Sequence, residues 1–92
     1  MSKQAPAIEN ANLIERIALV TGKLSEEFPD CRVRSWQDDA LEKSQIVFFK
    51  VMRESDGAYV TRALSTTSLA LVREVLVVIR VMADGIRKEL ER

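Results

Sequence analysis

The sequence predicts an α+β fold of order α-β-β-β-α, a three-stranded antiparallel sheet with two helices on one face. Three observations carry this. Apolar residues recur at steps of three and four near both ends of the chain, they alternate in the middle, and Asp56-Gly57 marks a turn between two β-rich runs. Ninety-two residues leave room for one core. Residues 10–92 therefore read as a single domain behind a flexible N-terminal tail, residues 1–9.

The first helix places Leu13, Ile17, Val20, Leu24 and Phe28 on one face, with Glu15, Arg16 and Lys23 elsewhere on the wheel. Asn10 or Asn12 suits its N-cap, because an amide oxygen there accepts from an unpaired backbone N–H. Pro29 disfavours helical geometry at Phe28 and ends the helix. Gly22 inside it costs about 1 kcal/mol relative to alanine.

After Pro29 the period changes to two. Cys31, Val33 and Ser35 fall on one side of a short strand, and Arg32, Arg34 and Trp36 on the other. Residues 37–44 are polar and read as a connection. Residues 45–53 hold Ile46, Val47, Phe48, Phe49 and Val51, a composition that suits a strand. Residues 58–64 return antiparallel to it after Asp56-Gly57. The register stays open at this point. A two-residue loop groups Phe49, Val51, Val60 and Leu64 on one face, whereas a three-residue loop groups Phe48, Met52, Val60 and Leu64.

Ser65-Thr66-Thr67-Ser68 is a run of capping residues that opens the last helix, expected as one piece over residues 67–91. Its core stripe reads Leu71, Val72, Val75, Val78, Ile79, Met82, Ala83, Ile86 and Leu90. Val77 and Val81 fall on the polar side, and Arg80–Asp84 and Arg87–Glu91 stand at the spacing of helical ion pairs.

Composition narrows the function. Fourteen basic and fourteen acidic side chains give zero formal charge, unlike a protein that neutralises many phosphates or coats an anionic membrane. The acidic bias is local and modest, −3 over residues 26–44, and falls short of a duplex-DNA mimic. The absence of His and the single Cys31 remove the usual zinc ligands, and no cofactor is expected. The longest apolar run, Val75 to Ile79, is far below the roughly 20 residues of a membrane span. With no basic-then-apolar leader, the expectation is a soluble protein of the bacterial cytoplasm.

No catalytic constellation assembles either. Cys31 lacks a base, and Arg32 and Arg34 lie on the opposite strand face. Thr21-Gly22-Lys23-Leu24-Ser25 ends like a phosphate loop but lies inside a helix and lacks the earlier glycine. The neighbours Glu26/Glu27 and Asp38/Asp39 point in different directions and do not converge on one ion. The protein reads as a non-enzyme with no small-molecule substrate. The remaining candidates are Arg32, Arg34, Trp36, Arg53, Tyr59 and Arg62, types enriched at binding hot spots and assignable to the uncovered side of the sheet.

The element order matches the double-stranded-RNA-binding domain, but residues 65–71 carry no positive charge where that family grips phosphates. In size and overall character the whole chain resembles the small anti-CRISPR proteins of phages and mobile elements, those acting on type I-F guide-RNA surveillance complexes. The resemblance implies binding to surveillance-complex protein subunits, with the guide-RNA backbone within reach, and interference with target-DNA recognition. Neutral charge and several arginines favour steric occlusion of guide–target pairing over DNA mimicry. The alternative is a homodimeric structural or regulatory module in which Val77 and Val81 meet a symmetry mate.

Overall fold

The computed structural model describes residues 4–37 and 46–92, with side chains from Leu13 onward. In order it holds α1 (Gln4–Glu27), β1 (Cys31–Gln37), β2 (Ile46–Arg53), β3 (Tyr59–Ser65), α2 (Thr66–Leu71) and α3 (Val75–Leu90). The strands form one antiparallel sheet in the order β1-β2-β3. This is the expected α+β layout, with its last helical region divided.

Helix α1 starts at Gln4 and runs straight through the positions proposed as caps, Asn10 and Asn12, so it takes in residues 4–9 of the expected tail. Pro6 falls in the first turn, where backbone N–H groups have no intrahelical acceptor, so its missing N–H sacrifices no bond. At the other end the helix stops before Pro29 as expected, and Cys31 N–H donates to the Phe28 carbonyl at 3.0 Å to start β1. Residues 1–3, and the connection expected at 37–44 beyond Gln37, lie outside the described residues, as do Asp38 and Asp39.

The hairpin pairs Val51 with Val60, Phe49 with Arg62 and Val47 with Leu64. Residues 54–57 make its connection, which keeps the face grouping of the two-residue loop and excludes the other. Gly57, at φ 75°, takes the left-handed conformation that closes the turn, and its N–H donates to the Arg53 carbonyl at 2.8 Å. One face of the sheet thus presents Val47, Phe49, Val51 and Val60 to the helices. Against them pack Val20, Leu24 and Phe28 of α1, Leu69 of α2, and Ile79, Met82, Ala83, Ile86 and Leu90 of α3.

The single helix expected over residues 67–91 is two helices. Ser65 caps α2 by accepting from Ser68 N–H at 3.3 Å, as the capping run suggests. Val72 then turns extended (φ −67°, ψ 135°), and α3 begins at Val75. The Arg16 guanidinium on α1 donates to the carbonyls of Leu69 and Val72, meeting the acceptors that the break releases. The break also takes Leu71 out of the expected core stripe and leaves it 76% exposed. Val72, Val75 and Val78 are half-buried, and Val77 and Val81 are exposed as their side of the wheel requires.

The ion pairs of α3 differ from those expected by spacing. Arg87 reaches back to Asp84 at 3.2 Å and across to Glu27 of α1 at 2.9 Å, joining the two long helices. Glu26 instead lies 3.7 Å from Lys23, so the neighbouring Glu26 and Glu27 do diverge. Among the described residues no helix is long and apolar enough to cross a membrane.

Candidate functional site

Because both long helices pack on the Phe49 face, the opposite face of the sheet is left without a covering element among the described residues. Strand alternation decides what it carries. Three cross-strand rows lie on it: Trp36–Phe48–Ala63, Arg34–Lys50–Thr61 and Arg32–Met52–Tyr59. The first and last rows are four residues apart along β2, about 13–14 Å at the usual strand rise.

The first row is aromatic. Trp36 and Phe48 stack with ring centroids 5.4 Å apart and planes inclined by 19°, yet Trp36 remains 44% exposed. In the last row Tyr59 is 61% exposed, and Lys50 Nζ lies 4.5 Å from the centre of its ring. A cation over an aromatic face stabilises both side chains in place by about 0.5–1 kcal/mol at an exposed site.

Between the aromatic rows lies positive charge. Arg34 stands directly opposite Lys50, an arrangement that like-charge repulsion disfavours. Arg32, Arg34, Lys50 and Met52 line a shallow hollow of about 200 Å³. Among the described residues, the acid paired with this group is Glu54 at its rim, 3.6 Å from Arg32, where both partners are well exposed and the pair contributes little. The face therefore carries Arg34 and Lys50 between the Trp36/Phe48 stack and the Tyr59 row, with Arg32 at the far end of that last row.

Four of the six residues singled out in the sequence share this face: Arg32, Arg34, Trp36 and Tyr59. Arg53 and Arg62 do not. Each stands two residues from a core valine, Val51 or Val60, and strand alternation turns both to the helix side. Arg53 Nε and Nη2 donate to the two carboxylate oxygens of Asp56 at 3.0 and 2.7 Å, and Nη1 donates to the Leu90 carbonyl at 3.1 Å. Its guanidinium, with the Ala58 N–H, holds the Asp56 carboxyl at about 2, and the bound carboxylate raises the pKa of Arg53 in return. Arg62 pairs with Glu89 of α3. Both arginines clasp the hairpin to the last helix.

Phe48, Lys50 and Met52 belong to the face and were missed while the register stayed open. Their signal was present, since they alternate with Val47, Phe49 and Val51. Cys31 is half-buried on the helix side, and burial raises its thiol pKa, with Arg53 partly opposing the shift. That favours the un-nucleophilic thiol. No cluster of three or more His, Cys, Asp or Glu side chains is placed to hold a metal among the described residues.

No protein-family model, curated protein or solved structure matches the chain. The functional reading rests on the chemistry of this face.

Proposed function

We propose that the protein is a non-enzymatic inhibitor that lays the open face of its sheet on a type I-F RNA-guided surveillance complex and blocks pairing of target DNA with the guide. The observation that carries this reading is Arg34 opposite Lys50, beside Arg32, between the Trp36/Phe48 stack and Tyr59. A row of like charges weakens a sheet and finds its compensation in an anionic partner. Guanidinium groups bond phosphate oxygens in pairs, and exposed rings stack on unpaired bases or pack on protein at a hot spot. A guide RNA threaded along protein subunits offers both kinds of contact. The basic character of the face supports occupation of the guide's surroundings and speaks against imitation of duplex DNA.

Pull-down with the tagged protein from cells carrying a type I-F system, followed by a target-DNA binding assay on the purified complex, tests the reading. Recovery of surveillance subunits and loss of DNA binding are expected. Recovery of none, or undiminished DNA binding at saturating protein, overturns it.

A further inference from the structure

Helix α3 carries an outward stripe with the same spacing from either end. At 100° per residue, Val77, Val81, Gly85 and Lys88 fall within about 40° of one line along the helix, and Glu74 stands at the N-cap, seven residues before Val81 as Lys88 stands seven after it. Val77 and Val81 are 54% and 67% exposed. Beside them runs a groove of about 510 Å³ between α3 and β3, lined by Arg62, Ala63, Leu64, Val78 and Met82 as well as the stripe itself. Strand β3 is an edge of the sheet. Neither Glu74 nor Lys88 forms an ion pair with another described residue.

We propose that α3 pairs antiparallel with α3 of a second copy of this chain, about a two-fold axis at Val81. Such an axis sets Val81 on Val81, Val77 against the partner's Gly85, and Glu74 against the partner's Lys88. Each match suits its residues. The valines lose apolar surface to each other and to the groove, the partner's Val77 meets Gly85 beside the Arg62 guanidinium that lies over it, and the charged ends meet opposite charge. A parallel pair would set Glu74 on Glu74 and Lys88 on Lys88. Charge therefore selects the two-fold arrangement, and self-complementarity of this kind is the requirement of an isologous dimer. The inference is independent of the proposed function, since the contact lies on the helix layer and leaves both open sheet faces accessible.

Sedimentation equilibrium of the full chain over a wide concentration range tests it. Twice the 10.4 kDa chain mass is expected at high concentration. Val81→Asp is expected to give a monomer with an unchanged circular dichroism spectrum, because the side chain is exposed within one chain. Glu74→Lys should weaken the dimer several-fold, and adding Lys88→Glu should recover it. Gly85→Ala adds a methyl that meets only Arg62 Nη2 at 3.6 Å within the chain, so it should leave the fold intact while displacing the partner's Val77 and weakening the dimer. A monomer at every concentration overturns the proposal and leaves the stripe to a different protein. A dimer unaffected by Val81→Asp or by Gly85→Ala overturns it as well.

Discussion

The guanidinium of Arg16 on α1 donates to the backbone carbonyl of Leu69 at the end of α2, at 2.9 Å. Through this bond and its companion to Val72, the first helix fixes where the second one stops. Removing one partner of these half-buried bonds leaves acceptors that solvent satisfies only in part, at a cost of about 1 kcal/mol. Arg16→Met is expected to lower stability by that amount in chemical denaturation, with Arg73→Ala, an exposed neighbour of the break, as the control. Equal effects of the two would contradict this role for Arg16.

The core predicts a larger effect at Ile86, which is fully buried. Ile86→Ala is expected to cost about 2–5 kcal/mol, against less than about 0.5 kcal/mol for the exposed Arg80→Ala. Urea titrations of the two variants check the ranking.

A stabilising change is expected at Gly22. It lies inside α1, and a methyl added there meets nothing within 4 Å. Gly22→Ala should therefore gain about 1 kcal/mol from helix propensity, seen as a rise of roughly 4–8 °C in melting temperature for a domain of this size. An unchanged or lower melting temperature would mean that this turn of the helix is not formed.

Asp56 sets an acid response. Its folded pKa of about 2 lies below the ordinary carboxylate value of 3.8, so its pairing with Arg53 contributes stability above pH 4 and loses it as pH falls from 4 towards 2. Asp56→Asn should lower the melting temperature at neutral pH and reduce its further decline over that window. Parallel melting curves for both proteins from pH 2 to 7 check this expectation.

These relationships differ in how far the sequence revealed them. The amphipathic face of α1, the stop at Pro29, the alternation in β1 and the Ser65 cap depend on neighbours a few residues apart, and all were legible. The break at Val72 was not, because the group that meets its carbonyls stands at Arg16, more than fifty residues earlier. The open face was half legible. Alternation placed Arg32, Arg34 and Trp36 together, but Lys50 and Phe48 join them only through pairing with β1. Arg53 and Arg62 were grouped by residue type, although Arg62, two residues from Val60, falls on the core side in either register, whereas Arg53 follows Val51 there only once the register is fixed.

The proposed role of the open sheet face is tested most directly by target-DNA binding of the purified type I-F surveillance complex titrated with the wild-type protein and with Arg32→Glu/Arg34→Glu. These two side chains are exposed, and among the described residues Arg32 makes a long surface pair with Glu54, so the variant should remain folded, as its circular dichroism spectrum checks. The wild type is expected to abolish DNA binding and the charge-reversed variant to leave it intact. Inhibition by the variant equal to that of the wild type, or no inhibition by the wild type at saturation, would contradict that role.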